Sequence, residues 1–136
     1  MANQEALALL RNGLVDEFNK WIKLRRKETA KGVNLKAQDL SCLKLQFIDL
    51  RDANLTDAIL RGTELEGADL RKARLRGADL EGALLRNARL RGADLRNANL
   101  SKANLEQAKL KKARCKGARF DGANLEGVNL KDVKGH

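Results

Sequence analysis

Few side chains in this 136-residue chain are equipped for covalent chemistry. The thiols are Cys42 and Cys115, the serines are Ser41 and Ser101, and the one imidazole is His136 at the end of the sequence. Nucleophilic catalysis needs a nucleophile beside a base that a third group orients, and these positions supply no such set. Neither cysteine has a histidine nearby, and their spacing suits no zinc site. Glu64 and Glu66 pair two carboxylates, but they flank the apolar Leu65 and read as a solvated face. The sequence therefore predicts no catalytic residue, no metal and no cofactor, and a protein that is not an enzyme. What it offers in quantity is positive charge. Lys and Arg number 28 against 18 Asp and Glu, a formal +10, which favours acidic proteins and other polyanions as partners.

The elements that must position those charges follow from a five-residue rhythm. Leu occupies every fifth position from 35 to 110, followed by Cys115, Phe120, Leu125 and Leu130. Two residues before each stands a second inward candidate, and between Ala53 and Val128 it is Ala at all but Thr63 and Val128. On a helix, five residues turn each Leu by about 140°, so no stripe could be buried. Extended chain places residues two apart on one face, and the following gap of three demands a bend. Each repeat is thus a short strand plus a corner, with Gly, Asn or Asp favoured two residues after the Leu because corners demand positive φ. Lys72, Lys102, Gln107 and Lys112 at equivalent corners predict a different turn type there.

Residues 33–133 resemble the pentapeptide-repeat family, whose motif reads A-[D/N]-L-x-x. Ala78-Asp79-Leu80-Glu81-Gly82 and Ala98-Asn99-Leu100-Ser101-Lys102 carry the likeness. The resemblance implies an all-β solenoid, a right-handed four-sided parallel β-helix. Four repeats would form a coil, and Val33 to Asp132 would form about five coils. At about 4.8 Å per coil, the stack would be about 24 Å long.

Residues 1–32 break the rhythm. Leu7, Leu10, Leu14, Phe18, Trp21 and Ile22 recur at helical spacing, predicting a helical cap divided at Gly13, with Asp16 as the second N-cap and Phe18 and Trp21 as the lid. The Phe18-Asn19-Lys20-Trp21 stretch is similar to the leader of some cyanobacterial family members. Leu43, Phe47 and Ile48 are larger than their counterparts and are expected to meet that lid. Gln38 stands at an inward position and needs a partner from the cap or a water. Residues 134–136 are read as a tail. No run of 18 apolar residues is present and no export signal is evident, so the expectation is a cytoplasmic protein with free thiols and no membrane partner.

Folding the repeats into four columns sorts the charge. The fourth face, on Leu50, Leu70, Leu90, Leu110 and Leu130, and the first, on Leu35, Leu55, Leu75, Leu95 and Cys115, hold most of the cations and share an edge. The candidate interaction edge is Arg71, Lys72, Arg74 and Arg76, then Arg89, Arg91 and Arg96, then Lys109, Lys111, Lys112, Arg114 and Lys116. An acidic protein or another polyanion is the expected partner. Non-specific nucleic-acid binding is an alternative, without outward aromatics on these faces to stack bases. The family's topoisomerase-protecting members imitate DNA with an acidic surface, from which this basic chain departs. A solenoid with no dedicated ligand is the third reading, the cations serving only solubility. Leu110, Phe120, Leu125 and Leu130 mark a candidate self-association end and a homodimer through the C-terminal coil.

Overall fold

The computed structural model describes residues 2–29 and 31–132. Two helices, α1 (Gln4–Arg11) and α2 (Val15–Thr29), precede a stack of pentapeptide coils. The Asn3 side chain caps α1 by accepting from the Ala6 N–H at 2.9 Å. Gly13, at φ +69, separates the helices as its position predicts. Asp16 does not cap α2. The helix has already begun at Val15, so Asp16 lies in its first turn, where a carboxylate complements the positive end of the helix.

From Asn34 onward, parallel bridges join residues twenty apart, beginning with Asn34 to Asn54 and ending with Asn104 to Asn124. That register fixes four repeats per coil and makes the solenoid four-sided, and its coils wind right-handed. Each inward Leu from Leu35 to Leu105 donates its N–H to the next coil, as Leu55 does to the Arg74 carbonyl at 2.7 Å. Every corner from Leu35 to Val128 except the one after Leu40 closes on itself, as Ala58 N–H does on the Leu55 carbonyl. The Ala and Leu columns form a continuous buried core, and Cys115 lies within it at 1% exposure.

Every corner from Ala37 to Gly127 has positive φ at its third residue, the mark of a type II turn. Lys72, Lys102, Gln107 and Lys112 are no exception, at φ +59, +60, +61 and +63. The expectation of a different turn was wrong because the closing bonds between coils impose one corner geometry whatever residue sits there.

The fifth coil is also incomplete. The bridge ladder stops at Asn124, and the chain turns into a short 3-10 helix, η1 (Leu130–Asp132), in place of a fifth strand on the fourth face. The expected tail, 134–136, lies outside the described residues.

The cap covers the first coil with buried Leu7, Leu10, Phe18 and Ile22. Trp21 is half-buried, its ring 5.7 Å from that of Phe18, and Arg25 stacks over it at 5.2 Å. Polar contacts fasten cap to coil. Asn19 accepts from the Asp49 N–H at 2.8 Å and donates to the Phe47 carbonyl at 3.1 Å. Asn3 N–H donates to the Asn34 carbonyl at 2.9 Å. Ile48 is buried and Leu43 half-buried against the core, but the Phe47 ring does not join the lid. It is 73% exposed and lies over the Gly67 corner, because positive φ at Phe47 aims its side chain outward. The Gln38 amide finds its acceptor in the preceding repeat and not in the cap, at the Lys36 carbonyl at 3.2 Å.

Candidate polyanion-binding edge

The residue before each inward Leu decides how much charge its repeat displays. Wherever that residue is Asp or Asn, its side chain accepts the N–H of the residue after the Leu. Asn54 with Thr56, Asp69 with Arg71 and Asp94 with Arg96 are examples, all at 3.2 Å. That N–H points out of the ladder and has no backbone partner, so the local side chain supplies one. When the sequence reads Asp-Leu-Arg, the guanidinium folds back on the same carboxylate. Arg51, Arg71 and Arg96 each bind two-pronged to Asp49, Asp69 and Asp94, with contacts of 2.6–2.9 Å.

These aspartates are held below the usual carboxylate range. At Asp94 the Arg96 hydrogen bond is the chief cause, with burial opposing it. At Asp69 burial pushes upward, and the side-chain and backbone bonds from Arg71 outweigh it.

Four repeats carry a cation on both sides of the inward residue and cannot neutralise themselves: Arg74 with Arg76, Arg89 with Arg91, Lys109 with Lys111, and Arg114 with Lys116. All eight side chains are exposed. Bridges stack Arg89 on Lys109, and Arg74, Asp94 and Arg114 in turn. Asp69 reaches Arg89 at 3.7 Å. Among the described residues no carboxylate lies within ion-pairing distance of the other seven, nor of Lys72 or Lys112 at the shared edge.

The predicted edge therefore divides. Arg71 and Arg96 are half-buried and paired, Arg89 is shared with Asp69, and the other nine residues project free charge. The free charge gathers toward the C-terminal coils, because Asp49, Asp52 and Asp69 engage Arg26, Arg51, Arg71 and Arg89 on the opening coils of the fourth face.

Sequence reasoning missed Arg26. Its guanidinium donates to the Arg51 carbonyl and pairs with Asp52 at 3.3 Å, so the cap contributes a cation to the edge. A groove of about 560 Å³ runs there, lined by Arg26, Arg51, Arg71, Lys72, Arg91 and Lys112. No signal in the helix marks Arg26 out from Arg25, since the distinction depends on how α2 lies across the coil. The Asp and Asn positions, by contrast, were plain in the motif.

At the proposed association end, Leu110 is buried, Phe120 and Leu125 are half-buried, and Leu130 is 39% exposed on η1. Cys115 is buried, which pushes its thiol up to about 11, and Cys42 is exposed at a corner; both are free thiols. Among the described residues, no His, Cys, Asp and Glu group is placed to hold a metal, and no helix is long and apolar enough to cross a membrane.

The family model for pentapeptide repeats matches in eight copies, over residues 48–87 and 88–127. The chain belongs to the pentapeptide-repeat family. Among solved structures it is similar to a pentapeptide repeat protein from the cyanobacterium Cyanothece 51142, at 30% identity and a TM-score of 0.74, over 83% of this chain and 97% of that one. It is also similar to a pentapeptide repeat protein of the Arabidopsis thaliana thylakoid lumen, at 39% identity and a TM-score of 0.55, over 74% of this chain and 66% of that one. None of the curated proteins compared matches it. Pentapeptide-repeat solenoids are in general structural or binding scaffolds and not enzymes.

Proposed function

We propose that this pentapeptide-repeat protein is a non-enzymatic scaffold that binds an acidic protein or other polyanion along the edge between its fourth and first faces. The observation that supports this is the group of nine exposed, unpaired cations there. A surface meant only to stay soluble intersperses both signs; this one compensates its opening coils with aspartate and leaves the later ones bare. The rigid core holds these charges in rows about 4.8 Å apart, so little order is lost when a flat anionic surface docks. The edge carries no outward aromatic, which favours a protein surface over the bases of a nucleic acid.

The test is retention on heparin and on double-stranded DNA across a salt series, for the parent chain and for Lys109→Glu, Lys111→Glu and Lys112→Glu combined. Steeply salt-dependent heparin retention that the variant loses supports the reading. Retention unchanged in the variant, or absent in the parent, overturns it. We also propose self-association through the end bearing Phe120, Leu125 and Leu130, tested by sedimentation at high concentration, where a strictly monomeric mass would refute it.

A further inference from the structure

On the fourth face, where the last repeat leaves the ladder, there is a depression of about 440 Å³. Arg71, Arg89, Arg91, Lys109 and Lys111 line it, with Leu110 and Asn129 also in its wall. One coil earlier, the N–H groups of Leu90 and Gly92 donate to the carbonyls of Lys109 and Lys111. Their counterparts, Leu110 and Lys112, have no protein acceptor among the described residues, since the strand that would supply one gives way to η1. The N–H groups of Arg91 and Lys111 are open for a separate reason. Arg89 and Lys109 occupy the position from which Asp69 accepts the Arg71 N–H.

Five cations, two of them already engaged by Asp69, thus line one concavity whose wall also includes Arg91, Leu110 and Lys111, the residues that carry free N–H groups. Successive free N–H groups form an anion nest, and guanidinium groups add short, charge-assisted bonds. A carboxylate brings two oxygens and one charge. A phosphomonoester brings three terminal oxygens and a charge of about −1.5 to −2, which answers the donor set more fully.

We infer that this depression binds a phosphomonoester carried on a phosphorylated segment of a partner protein. The inference rests on the polyanion-binding reading above and narrows it to one chemical group. A protein source is favoured over nucleic acid because the donors converge on one depression, whereas a nucleic-acid site tracks a backbone and stacks bases.

The experiment uses the full chain and the double variant Arg89→Asp with Lys109→Asp. Arg89→Asp installs the Asp-Leu-Arg arrangement that the same face already carries at 69–71 and Lys109→Asp installs Asp-Leu-Lys, so folding is retained while two cations are lost and the Arg91 and Lys111 N–H groups are capped. Amide NMR shifts and affinity are measured with a short phosphoserine peptide, its unphosphorylated counterpart and a short DNA duplex. Saturable shifts at Leu110, Lys111 and Lys112 with the phosphopeptide alone, weakened about tenfold or more in the variant, are expected, since each charge-assisted bond is strong. Equal binding of the two peptides, unchanged affinity in the variant, or preference for the duplex would overturn the inference. Heparin retention run in parallel separates the failures. If it persists and still depends on Lys109, Lys111 and Lys112, only the phosphomonoester assignment falls; if it is absent, the broader reading falls too.

Discussion

Replacing Gly82 with Ala isolates the conformational cost of a corner. Gly82 sits at φ +67, and a Cβ built on it would meet nothing within 4 Å. The substitution therefore introduces no clash. An L-residue in the left-handed region costs about 1–2 kcal/mol, and the stiffer unfolded chain returns about 0.4–1 kcal/mol. A net loss of about 0.5–1 kcal/mol is expected. With a urea slope of about 1–3 kcal/mol per molar, the midpoint falls by about half a molar at unchanged slope. The reverse change, Lys102→Gly at φ +60, raises it by a similar amount. Gly67→Ala serves as the contrast. Its Cβ would stand 2.5 Å from the Phe47 ring, and driving that exposed ring from its rotamer adds about 0.5–1.5 kcal/mol. Urea titration followed by Trp21 fluorescence and circular dichroism measures all three. Gly82→Ala as stable as the parent, or Lys102→Gly less stable, would refute the claim that one left-handed corner recurs throughout.

Three further outcomes follow from the core and the aspartates. Thr63 stands where an Ala is usual, and its buried hydroxyl donates to the Leu40 carbonyl at 2.8 Å, an acceptor with no backbone donor among the described residues; Thr63→Val lowers unfolding free energy by about 1–3 kcal/mol, read from the urea midpoint. Near neutral pH a thiol reagent modifies Cys42 in the native protein and reaches Cys115 only on unfolding, because burial raises the Cys115 thiol from 9.0 to about 11; equal labelling of both would contradict its burial. Its raised folded value means that its stabilisation is present below the unfolded value and is lost as pH rises through about 11. Asp49, Asp69 and Asp94 have the opposite sign: their folded values are depressed, so the stability they lend is present above their unfolded value of 3.8 and is lost as pH falls through the lower folded values. Thermal melts across that acid range show the decline, and it shrinks in Asp94→Asn.

The free and paired cations on the edge were partly legible in advance. Arg71 and Arg96 follow an Asp by two residues, and that spacing places guanidinium and carboxylate side by side on any extended repeat. The sharing of Arg89 with Asp69 was not legible, because the two are twenty residues apart and meet only through the stacking of coils. Arg26 was hidden for the same kind of reason, since its role depends on how α2 crosses the first coil.

The five-residue rhythm determined the strand, the inward Ala and Leu, and the place of each corner, because all three are short-range consequences of side-chain alternation and one extra residue per bend. Tertiary structure decided the twenty-residue register, the common geometry of corners bearing Gly, Asn, Lys or Phe, the role of Thr63 and the early end of the ladder. Each of these depends on hydrogen bonds between successive coils, and such bonds exist only once distant parts of the chain have been brought together.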